Sequence, residues 1–162
     1  MHRVGQFVAH VRARVAPDEE ALVRGILPGS AWGLFDGMPV ADRRHALDVV
    51  EKLLAGGHDS PDVLAAALLH DVAKGRRMRL WHRVSGVLLG AVAPGLLRRL
   101  AVGDATSWRH PFWLYLHHGP MSADLAAAAG CSAVTARLIR GVPAGADESQ
   151  LFRILEAADD AS

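Results

Sequence analysis

Along most of the chain, apolar side chains return every three or four positions. No stretch alternates apolar and polar residues with the β-branched content of a strand. The pattern predicts an all-α protein. Helices are expected at 3–15, at 18–26 after Pro17-Asp18, at 42–55 closed by Gly56-Gly57, and at 61–74. Others are expected at 79–92, 94–102, 111–117, 121–129, 133–140 and 148–160, with a short turn near 31–38. No repeat or low-complexity linker divides them, and 162 residues suit one domain. Within it, residues 1–41 read as a helical extension packed on a core formed by 42–162.

The stretch LAAALLHDVAKG at 64–75 raises the first chemical question. Ser60-Pro61-Asp62 supplies an N-cap, a proline at the first helical position and an acid in the first turn, while Gly75 suits a left-handed C-terminus. Val63 to Leu69 leave the helix apolar on every side, as expected of a central helix packed all round. His70 and Asp71 then fall near its buried end, where an unpaired charge costs several kcal/mol. They must be paired, metal-bound or pushed to the surface. Neighbouring helical side chains diverge by about 100°, so these two can converge on one ion lying against the helix, with Lys74 on the same face.

Two donors do not make a site. His45, in ADRRHALDVVEKLLAGG, lies at the edge of a core face outlined by Leu47, Val50, Leu53 and Leu54. There it is either a ligand or a hydrogen-bonded surface residue. Further on, DESQLFRILEAADDAS carries a capping-box candidate, Asp147 with Gln150, and an apolar stripe of Leu151, Ile154, Leu155 and Ala158. Asp159 follows that stripe directly. Taken alone, it and Asp160 read as a frayed acidic terminus.

Charge changes the picture locally. The net charge is +1 and the pI about 8.1, so no nucleic-acid partner is expected. Between Lys74 and Arg109, however, eight basic residues (Lys74, Arg76, Arg77, Arg79, Arg83, Arg98, Arg99 and Arg109) face one acid, Asp104, a balance of +7. Such a block is either a solvated face or a field that draws an anionic ligand. Val84 to Leu97 is uncharged but interrupted by Pro94-Gly95, and at 14 residues it is short of the roughly 20 that a spanning helix needs. Arginines on both sides of it suit a weak peripheral contact with a membrane surface. The single cysteine, Cys131, excludes an internal disulfide and a multi-cysteine zinc site, and fits a reducing cytoplasm. MHRVGQFVAHVRARVAP lacks the apolar core of a signal peptide and reads as an amphipathic helix.

Together, RRHALDVV, LLAGGHDSPDVLAAALLHDVAKG and ILEAADDAS resemble the HD-domain superfamily of metal-dependent phosphohydrolases, over residues 42 to 160 or so. The resemblance implies a single-domain helical bundle of HD type in which His45, His70, Asp71 and Asp159 ligate a divalent cation (Mn, Co, Ni, Fe, Zn or Mg). Asp160 is the substitute if the last helix is turned by one residue. Two imidazoles and two carboxylates suit a six-coordinate ion with open positions, where a bound water ionises near neutral pH and attacks a small phosphate ester such as a nucleotide. Asp71 and Lys74 would carry the catalysis, and Lys74, Arg76 and Arg77 would meet the anionic, phosphate-containing substrate.

His117-His118-Gly119-Pro120 followed by SAVTARLIRGV resembles the arrangement of branches that hold two metals, but Gly141-Val142 stands where the further histidine would follow. His118, His117 and His82 are candidates for a second metal or for substrate, or else structural residues. His2, His10 and His58 read as surface positions, and Trp81, Trp108, Phe112, Trp113 and Tyr115 as core or interface aromatics. Two other functions fit the same resemblance. One is a di-iron oxygenase, which needs extra histidines; the other is a non-catalytic domain that senses a ligand or binds a partner or membrane surface through 79–101.

Overall fold

The computed structural model of the chain describes residues 15–75, 78 and 80–162. Nearly all of the helix expected at 3–15, with His2 and His10, lies outside the described residues, as do Arg76, Arg77 and Arg79. The described residues form helices α1 (Pro17–Ile26), α2 (Gly29–Asp36), α3 (Val40–Ala55) and α4 (Pro61–Leu69), then a 3-10 turn (Val72–Lys74). After it come α5 (Leu80–Val92), α6 (Pro94–Leu100), α7 (His110–Ala128), α8 (Ala133–Arg140) and α9 (Gly145–Asp160), with no strand among the described residues.

Helix α4 is the axis of the bundle. Every residue from Val63 to Leu69 is buried, and α1, α2, α3, α7, α8 and α9 all pack against it. Burying a leucine or valine side chain completely stabilises by about 1.5–3 kcal/mol, so this short apolar helix organises much of the core. Val23, Leu27, Ala31, Phe35 and Met38 of the first helices belong to the same hydrophobic cluster.

Three elements differ from the sequence pattern. The stretch around 31–38 is a full helix, α2. Gly29, Gly33 and Gly37 suggest a turn, but Ala31 and Phe35 are wholly buried one helical turn apart, and that burial outweighs the glycine cost of about 1 kcal/mol each. The helices expected at 111–117 and 121–129 are one continuous α7 through Pro120. Phe112 and Leu114 anchor it before the proline, and Ser122, Ala123 and Ala126 anchor it after, so packing carries the helix across a residue that normally ends one. The helix expected at 61–74 stops at Leu69, and His70-Asp71 form its turning point.

The caps also differ in detail. Ser60 occupies the N-cap position of α4, yet its side chain makes no capping hydrogen bond. Helix α9 starts at Gly145 rather than near Asp147, and its capping contact is the Ala144 N–H donating to Glu148 Oε2 (2.8 Å).

Polar ties fix the helices around α4. Arg137 grips Glu148 with two nitrogens (2.6 and 2.9 Å), joining α8 to α9. Asp62 accepts hydrogen bonds from Ser132 Oγ and from Thr135 Oγ1 (the latter 2.9 Å), holding the start of α4 to α8. Arg44 pairs with Asp48 (2.7 Å) and Glu51 (3.2 Å) on its own helix and with Glu19 on α1. Helices α5 and α6 pack on each other and on α7. A Cβ on Gly86 would lie 2.7 Å from the Tyr115 ring, so only glycine permits α5 to approach α7 this closely.

Candidate metal centre

The end of α4 builds the base of the site. His70 is the C-cap of α4, and Asp71 (φ −106°, ψ 3°) sits in the bridge region between helix and strand, a conformation common at functional residues. Two devices hold the turn. The Ala73 N–H donates to the fully buried Ser122 Oγ of α7 (3.1 Å), and Gly75 takes φ 57°, ψ −178°, a conformation essentially reserved for glycine.

The bundle brings His45 from α3, His70 from α4 and Asp159 from α9 to one point. One donor atom from each lies within 4.8 Å of the other two, a spacing that could hold a metal ion. His45 Nε2 is 2.8 Å from Asp159 Oδ1, and His70 Nε2 is 3.3 Å from the same oxygen. Asp71 stands beside this trio rather than inside it. Its Oδ1 is 3.5 Å from His70 Nε2, while Oδ2 accepts a hydrogen bond from Lys74 Nζ (2.6 Å). Asp160, one residue further round α9, is exposed.

Two of the remaining histidine candidates part company. His118 Nε2 lies 3.5 Å from Asp71 Oδ1, opposite His70, so this histidine joins the cluster through the aspartate. His117 points elsewhere, stacked on Trp113 (4.5 Å between ring centroids) with its Nδ1–H donating to the Trp113 carbonyl. His82 is buried between α5 and α7, with its ring against Trp81 (3.6 Å) and edge-on to Phe112 (5.7 Å).

Ring orientation is set by backbone. His70 Nδ1–H donates to the Ala67 carbonyl (2.9 Å) and His118 Nδ1–H to the Tyr115 carbonyl (2.9 Å), which leaves the Nε2 lone pair of each directed into the cluster. Burial would raise the pKa of Asp71, but His70, Lys74 and His118 around it outweigh that and hold it well below the usual carboxylate range. Burial likewise opposes ionisation of Asp159, and the adjacent His45 and His70 rings override it and hold this carboxylate well below the usual range. His118 shifts downward through burial and the adjacent Lys74 ammonium, which favours neutral imidazole. For His70, burial pulls down while Asp71 and Asp159 pull harder upward.

Among the described residues, two buried atoms of the cluster, His70 Nε2 and Asp71 Oδ1, have no hydrogen-bond partner. A buried acceptor left unpaired costs about 1–3 kcal/mol, and a charged one more. An imidazole lone pair and a carboxylate oxygen, both orphaned and 3.5 Å apart, are the donor chemistry a divalent cation requires. The donor set therefore fits such an ion.

Exposure falls steadily inward, from the Asp159 side chain (41%) and His45 (30%) to His70 (16%) and Asp71 (2%), so the cluster opens on the α3–α9 side. A cavity of about 240 Å³ adjoins it, lined by His70, His118 and Asp159, by apolar Ile139 and Phe152, and by Arg140 and Glu156. The pattern of the sequence gives no hint of Ser122, Arg140 or Glu156. A small residue in an alanine-rich helix and two charges on exposed faces carry no local signal, and only tertiary packing assembles them here. No family model, curated protein or solved structure matches this chain.

Proposed function

We propose that the protein is a metal-dependent phosphohydrolase of the HD-domain type, acting on a small phosphate ester, with nucleotides first among the esters to test. The observation that carries this reading is the orphaned pair His70 Nε2 and Asp71 Oδ1 beside the His45–His70–Asp159 trio. The segments RRHALDVV, LLHDVAK and ILEAADD, which resemble the superfamily's metal-binding words, supply these same residues. His45, His70, Asp71 and Asp159 would hold the ion. When bound, a divalent cation lowers the pKa of a coordinated water from 15.7 toward about 7 and polarises a phosphoryl oxygen.

The chain's own groups do the rest. Lys74 holds Oδ2 of Asp71 and so presents Oδ1 inward as a fixed anionic donor. His118 Nε2, a neutral base on the cavity wall, takes up or returns a proton during attack on the ester. The apolar wall of Ile139 and Phe152 excludes water from one side, and Arg140, whose guanidinium also pairs with Asp124, brings a cation to the cavity wall where a phosphate would lie.

The test is elemental analysis of the purified protein together with a panel of phosphate esters in added manganese, cobalt or nickel. Turnover is expected, and it should be lost, along with the metal, in His70→Ala and Asp71→Ala. Full activity in either variant would refute the proposal. Metal binding without turnover of any ester would favour a ligand-sensing domain instead.

A further inference from the structure

The surface of α5 and α6 has an unusual character. On α5, His82 and Gly86 turn inward toward Phe112 and Tyr115 of α7. The other face presents Trp81, Val84, Val87, Leu88 and Val92 to solvent, between 49% and 80% exposed, and Leu96 of α6 continues it. Val92, at the elbow before Pro94-Gly95, is the most exposed of them. Scattered exposed apolar residues are ordinary, but a continuous stripe along one helix and round an elbow marks a contact surface.

Charge selects the occupant. Among the described residues, Arg98 and Arg99 stand exposed on α6 beside the stripe, with no acid on α5 or α6. A second copy docking through the same face would set Arg98 and Arg99 against their own copies, because a two-fold contact apposes identical patches. The segment 1–14 carries Arg3, Arg12 and Arg14 and no acid, so it is no better complement. An anionic lipid surface satisfies both properties at once: apolar side chains enter the acyl boundary, arginines meet headgroup phosphates, and tryptophan sits at the interface. A cavity of about 460 Å³ at the elbow is lined by Pro94, Leu97 and Leu116 and by Arg98, Tyr115 and His117, a mixture that suits a headgroup phosphate with the start of its chain.

We infer that the α5–α6 face docks the protein onto a bilayer containing anionic lipid. The inference is independent of the chemistry at the metal centre. It is tested by flotation of the full chain with vesicles of phosphatidylcholine alone and of phosphatidylcholine mixed with phosphatidylserine. The wild type is expected to float with the mixed vesicles and not with the neutral ones, and less so as salt is raised. Arg98→Glu with Arg99→Glu should cut partitioning by about tenfold or more, since each basic residue near such a surface contributes about a factor of five. Val87→Ser with Leu88→Ser, at positions more than half exposed, should weaken it independently. No flotation with anionic vesicles, equal flotation with neutral ones, or flotation undiminished in both double variants would overturn it. So would a dimer lost in Val87→Ser with Leu88→Ser and accompanied by no vesicle binding.

Discussion

Lys74 shows how much one side chain decides at the residue scale. Its ammonium lies on Asp71 Oδ2 at 2.6 Å, in a turn where the aspartate side chain is 2% exposed. The sequence suggests a lysine facing the phosphate; the geometry makes it first the partner of a buried carboxylate. Removing one member of a buried pair costs about 3–5 kcal/mol because the other is left uncompensated. Lys74→Met is therefore expected to lower the melting temperature of metal-free protein strongly, and of manganese-loaded protein much less, by calorimetry on the two forms. An equal loss in both would show that Asp71 gains nothing from the cation. His70 and Asp71 stand out in the chain itself, as ionisable groups at the end of an apolar helix, whereas His45 and Asp159 each read alone as surface residues and are singled out only by the resemblance. Of the two adjacent histidines, His118 is the first candidate in the sequence and the one that meets Asp71, while the stacking that turns His117 onto Trp113 has no local signal. Ser122 left no trace, because a buried hydroxyl serving one backbone N–H looks like any small residue in a packed helix.

At the scale of elements, the regular helices were read from spacing and the irregular ones were not. Helix α8 was expected at 133–140 and runs Ala133–Arg140, with Ser132 accepting from the Thr135 N–H (3.0 Å) and Gly141 closing it at φ 75°. Both signals are local, so the sequence holds them. The unbroken α7 and the early end of α4 depend on what packs against them, which no window of sequence contains. The α8–α9 contact carries a pH prediction. Hydrogen bonds from Arg137 and then the Ala144 N–H hold Glu148 at about 2, against an ordinary 4.5, with burial opposing them weakly. A depressed folded pKa contributes stability that is complete above the unfolded value and fades as pH falls from about 4.5 toward about 2. Acid titration of the melting temperature should thus fall more steeply over that window in the wild type than in Glu148→Gln. Parallel curves would mean that the pair contributes nothing.

At the scale of the whole molecule, the trio draws on α3, α4 and α9, and His45 and Asp159 meet across 114 residues of chain. A cation held there binds the folded state alone, so saturation at a hundredfold over its dissociation constant should add about 2.7 kcal/mol. A rise in melting temperature on adding manganese, cobalt, nickel or zinc, reversed by chelator, is the expected result. No shift with any of them would speak against a cation at this position. None of the described helices is long and apolar enough to cross a membrane. The long separation of His45 from Asp159 also has a consequence for biosynthesis. While a ribosome is still making α9, the emerged portion holds only part of the trio, so any choice among the ions of the cell at this position would fall to the folded protein and not to the nascent chain.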